Sequence, residues 1–103
     1  MKKFIKVAAK SDIISGKMKE FKVNDKTIVI ANIEEEYLAF DGLCTHAECS
    51  LVGGFLDGYT LTCYCHGSQF DVKTGKVLGP PATVALNTYK VKVEGEDIYV
   101  RCF

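Results

Sequence analysis

Apolar and polar residues alternate along this chain in short runs, and they seldom recur at the spacing of an amphipathic helix. Phe4 to Ala8, Phe21 with Val23, Ile28 to Ile33, Tyr37 to Phe40, Tyr59 to Cys63, Tyr89 to Val93 and Ile98 to Val100 each read as a strand. Turn residues punctuate the runs. Asn24-Asp25 stands between two alternating segments, as a tight hairpin requires, and Glu34-Glu35, Asp57-Gly58 and Glu94-Gly95-Glu96 can serve similarly. The stretch Ala9 to Gly16 has room for one helical turn. Many short strands at close spacing predict an all-β protein, an antiparallel sandwich or small barrel.

Length and composition narrow the picture. A chain of 103 residues is expected to form one domain, 1–103, with a single core. Its 48% hydrophobic content is too high for a disordered chain. The 13 basic residues balance 13 acidic ones, which argues against nucleic acid as a partner. No apolar run approaches the roughly 20 residues that cross a bilayer, so no membrane anchor is expected. The opening MKKFIKVAAKSD is basic but lacks the apolar stretch of a secretory signal. A cytoplasmic protein is the expectation. Five cysteines are many for that compartment, where structural disulfides are rare, and they direct attention to metal or redox chemistry. Five is also odd. Cys102, far from the others, is expected to stand outside any pairing and to pack near the C-terminus.

The span 42–82 differs from the rest. It holds the other four cysteines, both histidines, both prolines and most of the glycines. Loops inserted on a β scaffold are where chemistry is expected. One loop reads CTHAEC from Cys44 and the other CYCHGS from Cys63. Each pairs a cysteine with a histidine, Cys44-x-His46 and Cys63-x-x-His66, and each carries a second cysteine, Cys49 and Cys65. Two cysteines and two histidines can make a tetrahedral zinc site. Zinc fingers, however, usually pair cysteine with cysteine and histidine with histidine along the chain. Mixed loops suit a two-iron cluster in which each loop sends its cysteine to one iron and its histidine to the other. A third possibility is a thiol–disulfide oxidoreductase built on Cys63 or Cys65, which leaves the histidine spacing unexplained.

Cys44-Thr-His46 with Cys63-x-x-His66-Gly67-Ser68 resembles the binding motif of Rieske [2Fe–2S] proteins. YLAFDGLCTH (37–46), GGFLDG (53–58), FDVKTGKVLGPPA (70–82) and YKVKVEGEDIYV (89–100) extend the likeness to soluble Rieske-type ferredoxins. The resemblance implies the Rieske fold, stacked antiparallel sheets with a cluster-binding subdomain of two loops, here about 42–82. It implies one [2Fe–2S] cluster per chain. Cys44 and Cys63 would hold the inner iron, and His46 and His66 the outer iron near the surface. Gly79, Pro80 and Pro81 match the proline loop that covers one side, a role a rigid turn suits. Cys49 and Cys65 match the pair that forms a loop-bridging disulfide in the Rieske proteins of quinol-oxidising complexes. Soluble ferredoxins of oxygenase systems generally lack that pair. Such a bridge would close a loop of about 15 residues, worth around 3 kcal/mol in the chain-entropy model.

Two further positions bear on the reduction potential. Ser68 sits where family members have a serine bonded to a bridging sulfide, which favours the reduced state. Phe70 sits where high-potential members have a tyrosine bonded to a ligand sulfur, and phenylalanine lacks that hydroxyl. Glu48 stands where the quinol-oxidising pattern has glycine, and Ala47 where it has leucine. A carboxylate beside the outer ligand opposes added negative charge. The expected potential is intermediate, above an oxygenase ferredoxin and below a quinol-oxidising protein. The function implied is a soluble one-electron carrier, monomeric and not itself an enzyme, passing electrons from a reductase to an oxygenase or another redox enzyme. The alternative is an electron-transfer or docking subunit of a larger oxidoreductase complex.

Overall fold

The computed structural model describes residues 3–46 and 48–101, so the readings made of Ala47 and Cys102 fall outside the described residues. A six-stranded sheet runs in the order β1 (Ile5–Ala9), β10 (Asp97–Arg101), β9 (Thr88–Glu94), β4 (Glu36–Asp41), β3 (Lys26–Ile33), β2 (Met18–Val23). A second sheet of four short strands runs β5 (Phe55–Asp57), β6 (Thr60–Thr62), β7 (Gln69–Asp71), β8 (Val77–Gly79). Every pairing is antiparallel. The helical turn expected in 9–16 is a single 3-10 turn over Lys10–Asp12. The alternating runs are all strands. The strands that alternation did not reveal are β5, β7 and β8, each three residues long.

Turn chemistry sets the hairpins. Asn24 and Asp25 have φ of 48° and 68°, and Val23 pairs with Lys26 across them. This double left-handed conformation is the two-residue turn whose twist matches the flanking strands. Glu34 and Glu35 take the same conformation, φ 52° and 71°, between Ile33 and Glu36. Glutamate gains little from that backbone, so the strands must hold it. Asn32 helps. Its buried side chain accepts from the Glu35 N–H at 2.8 Å and donates to the Ile13 carbonyl at 2.8 Å, tying the hairpin to the chain after the 3-10 turn.

Strand β3 explains the long apolar run at 28–33. Ile28 and Ile30 face one buried cluster with Ala39, Ile98 and Val100. Val29, Ala31 and Ile33 face a second, with Phe40, Leu51, Leu61, Phe70 and both Cys44 and Cys63. Each large aliphatic or aromatic side chain in these clusters is worth about 1.5–3 kcal/mol of burial. The second cluster matters for function, because it fuses the scaffold sheet to the inserted small sheet and runs up to the two cysteines.

The insertion leaves and rejoins the scaffold at a clamp. Asp41, at the end of β4, accepts from the Tyr89 hydroxyl and from the Asn87 N–H at 3.0 Å, while its own N–H donates to the Asn87 carbonyl at 3.0 Å. Gly42 follows, its N–H on the Thr27 carbonyl at 2.8 Å. A Cβ there would lie 2.7 Å from the Thr27 methyl, so only glycine passes so close to β3.

Candidate metal centre

Two loops rise from the small sheet and its approach, and they share one backbone design. In the first, the Cys44 carbonyl accepts from the N–H of Glu48 at 2.8 Å, and the Cys44 N–H donates to the Cys49 carbonyl at 2.8 Å. In the second, the Cys63 carbonyl accepts from the N–H of Gly67 at 3.0 Å, and the Cys63 N–H donates to the Ser68 carbonyl at 2.8 Å. The offsets are four and five residues in both. The fourth residue after each cysteine takes a left-handed backbone: φ 53° at Glu48 and 79° at Gly67. Gly67 takes that conformation freely, whereas Glu48 bears a steric cost.

These loops bring the four motif residues together in two layers. Cys44 and Cys63 are each only 2% exposed and carry free thiols. They are close enough for their side chains to hydrogen-bond. Burial pushes the Cys63 thiol above its usual range, and the Cys44 thiol adds to this. The backbone N–H groups of Cys65 and His66 bond the Cys63 sulfur and pull the other way. Such amides favour negative charge on the sulfur, which is what a metal-bound thiolate carries. His46 and His66 are exposed, with ring centroids 5.0 Å apart and planes at 83°. Two inner thiols under two outer imidazoles fit a group that needs two sulfur ligands on one side and two nitrogen ligands on the other.

The spare cysteines meet as well. Cys49 and Cys65 lie with their sulfurs adjacent and their Cα atoms 6.5 Å apart, within the span a disulfide bridges. The Cys63 sulfur lies within 4.8 Å of both. That trio shares Cys63 with the two-thiol, two-imidazole set.

A third segment, after β8, closes over both loops. The Pro80–Pro81 bond in it is cis. The Ala82 N–H donates to the Ser68 Oγ at 3.0 Å, and the Thr45 Oγ1 donates to the Val84 carbonyl at 2.6 Å. The proline segment is therefore bonded to each of the two loops. Ser68 is fully buried, and because its oxygen accepts from Ala82 its own proton is free to be donated. Phe70 is also fully buried, in the cluster that contains Cys63. Thr45 and Ala82 were not among the residues singled out from sequence. Nothing in a lone threonine between Cys44 and His46 signals a bond to a carbonyl nearly forty residues away.

Comparison with known proteins agrees with this geometry. Residues 3–90 match the Rieske [2Fe-2S] domain. The ferredoxin component of the naphthalene 1,2-dioxygenase/salicylate 5-hydroxylase systems of Ralstonia sp. is 39% identical over 98 residues, covering 95% of this chain and 94% of the relative. The ferredoxin component of biphenyl 2,3-dioxygenase from Rhodococcus jostii (strain RHA1) is 35% identical over 95 residues, covering 92% and 89%. Among solved structures, a complex of reduced oxygenase and oxidized ferredoxin in carbazole 1,9a-dioxygenase contains a chain of 32% identity that superposes with a TM-score of 0.88, covering 95% of this chain and 92% of that one. With a family match along most of its length and paired loops that place two thiols and two imidazoles together, the chain belongs to the Rieske [2Fe–2S] family, whose cofactor is a [2Fe–2S] cluster.

Proposed function

We propose that this protein is a one-electron carrier that accepts an electron from a reductase and delivers it to an oxygenase or another redox enzyme. The observation that carries the proposal is the layering of the site, buried Cys44 and Cys63 beneath exposed His46 and His66. In this reading the two cysteines hold the inner iron and the two histidines the outer iron. The cluster supplies reversible one-electron chemistry at a potential raised by its two neutral ligands, roughly −150 to +300 mV across such centres. The residues of the chain do the rest. The scaffold core keeps water from the cysteines, the amides of Cys65 and His66 favour negative charge on the Cys63 sulfur, and the imidazoles carry the site to the surface a partner can reach.

Several narrower assignments accompany this reading. Cys49 and Cys65 form a disulfide that joins the two loops, supported by their approach to bonding distance. Residues 42–82 act as the cluster-binding unit of a single domain 1–103. Gly79, Pro80 and Pro81 begin the segment that covers the site, while Ser68 and Phe70 tune its potential. The protein acts as a soluble cytoplasmic monomer and not as an enzyme on its own. Among the described residues no helix is long and apolar enough to cross a membrane. The likeness to ferredoxin components of dioxygenase systems supports an aromatic-ring oxygenase as the acceptor. Absorption and EPR spectra of the dithionite-reduced protein test the centre, and reconstitution with the reductase and oxygenase of a naphthalene or biphenyl dioxygenase system tests the role. A colourless protein, or a coloured one that never supports turnover, would refute the proposal.

A further inference from the structure

Cys49 and Cys65 have no place in the ligand set read above, yet their sulfurs and that of Cys63 all lie within 4.8 Å of one another. One of them is a free thiol, and the other two are the pair assigned above to a disulfide. A thiol held against a disulfide has the arrangement of an exchange reaction. The attacking sulfur forms a new bond to one sulfur of the pair while the other leaves as a thiolate.

We propose that, when the cluster is absent, Cys63 attacks Cys49 and exchanges the Cys49–Cys65 bond for a Cys49–Cys63 bond. This inference rests on the disulfide and on the ligand role of Cys63 in the reading above. The step balances without an outside oxidant. Cys63 loses its proton to solvent, the Cys63–Cys49 bond forms as the Cys49–Cys65 bond breaks, and Cys65 leaves as a thiolate that takes up a proton. The number of thiols and disulfides is unchanged. Bound iron prevents the step by engaging the Cys63 sulfur.

The direction follows from the chain. Cys63 and Cys65 are separated by one residue, Tyr64, so a bond between them would close a very small ring. A bond from Cys63 to Cys49 keeps the two loops joined and closes a loop nearly as long as the original one. Chain entropy then favours neither partner strongly, because its dependence on loop length is logarithmic. Cys65, which is half-buried where Cys63 is enclosed, would be the thiol released toward solvent. The consequence is functional. Exchange ties up an inner ligand in the cluster-free chain, and a thiol reductant is then needed before the site can be refilled.

Peptide mapping of the full-length protein decides the matter. Tyr64 is 59% exposed and separates Cys63 from Cys65, so chymotryptic cleavage after it resolves the two. The cluster-loaded protein, its spectrum recorded first, and the same protein after anaerobic removal of iron with a chelator are each alkylated and digested without reduction. The loaded protein should give the Cys49–Cys65 link alone, with Cys63 unlabelled. After iron removal a Cys49–Cys63 link should appear with label on Cys65, within about tenfold of the original link at equilibrium. The Cys44→Ser chain, which leaves the trio intact, should exchange as well, whereas Cys63→Ser should retain only Cys49–Cys65. Persistence of that link alone in the iron-free wild type, with label on Cys44 and Cys63, would overturn the exchange. A Cys63–Cys65 link would overturn the choice of Cys49 as the sulfur attacked. Label on Cys63 in the loaded protein would instead count against the ligand assignment.

Discussion

Replacing Ser68 with alanine removes one buried oxygen that takes part in two distinct interactions. The oxygen accepts from the Ala82 N–H at 3.0 Å, and its proton is available to a cluster sulfur. The first interaction concerns stability. An enclosed amide left without an acceptor costs about 1–3 kcal/mol, which for a domain near 100 residues lowers the melting temperature by roughly 4–8 °C per kcal/mol. The second concerns the electron. Reduction adds negative charge to the cluster, so a hydroxyl donated to its sulfur bonds more strongly in the reduced state. If that gain is about 1–2 kcal/mol, the potential of Ser68→Ala should fall by roughly 40–90 mV, taking 59 mV as a tenfold change for one electron. Film voltammetry reads the potential, and thermal unfolding reads the stability separately. A Ser68→Ala protein that keeps its full cluster and melts lower at an unchanged potential would refute the tuning argument. Its hydroxyl would then serve only to fasten the proline segment.

Five other substitutions test neighbouring parts of the structure. Phe70→Tyr should raise the potential by tens of millivolts if the added hydroxyl reaches a ligand sulfur; the ring is fully enclosed, so a loss of about 1–3 kcal/mol of stability from overpacking should accompany it in thermal unfolding. His46→Ala and His66→Ala should each abolish the mixed-ligand EPR signal of the reduced protein, and an unchanged spectrum in both would overturn the ligand assignment. Gly75→Ala should destabilise by more than about 2 kcal/mol in denaturant titration, because φ is 85° there and a Cβ would lie 2.1 Å from the Leu86 carbonyl oxygen. Glu48→Gly should stabilise the protein by up to about 1 kcal/mol, since the left-handed strain it relieves exceeds the chain entropy glycine adds. The same change removes a carboxylate beside the outer ligands and should raise the potential slightly by voltammetry.

What was legible in the sequence depended on how each residue reports its surroundings. Strand β3 announces itself through a sustained apolar run, because both of its faces are buried from Ile28 to Ile33, and β1 through apolar residues that are only partly buried apart from Ala8. Strands β5, β7 and β8 are three residues each, too short for alternation to register, and their position follows from the loops they carry. The two Cys/His loops were conspicuous because cysteine and histidine have few reasons to cluster. Their common backbone was hidden, since Glu48 takes the conformation that Gly67 takes and nothing about glutamate points to it. The proline segment shows a similar division. Pro80 and Pro81 mark a rigid turn, while its two fastenings are made by an alanine N–H and a valine carbonyl, groups every residue has.

The separation of cysteines from histidines also bears on how an electron can be moved quickly. With Cys44 and Cys63 as the proposed thiolate ligands, two ferric ions, two sulfides and two thiolates would sum to zero charge and one electron would bring the sum to −1, so neither state would demand a large rearrangement of solvent. The thiols lie in a packed core shared with Phe40 of the scaffold and Leu61 and Phe70 of the small sheet, and the amides that face the Cys63 sulfur belong to a closed turn. Dipoles held in this way cannot relax much when charge arrives, which lowers the reorganisation that would otherwise slow transfer. The imidazoles, by contrast, stand in the solvent-facing layer, where a partner must come close. One side of the site is therefore enclosed and held fixed, and the other is open to a partner. The proline segment, bonded to Ser68 on one loop and Thr45 on the other, holds the two loops in register across that boundary.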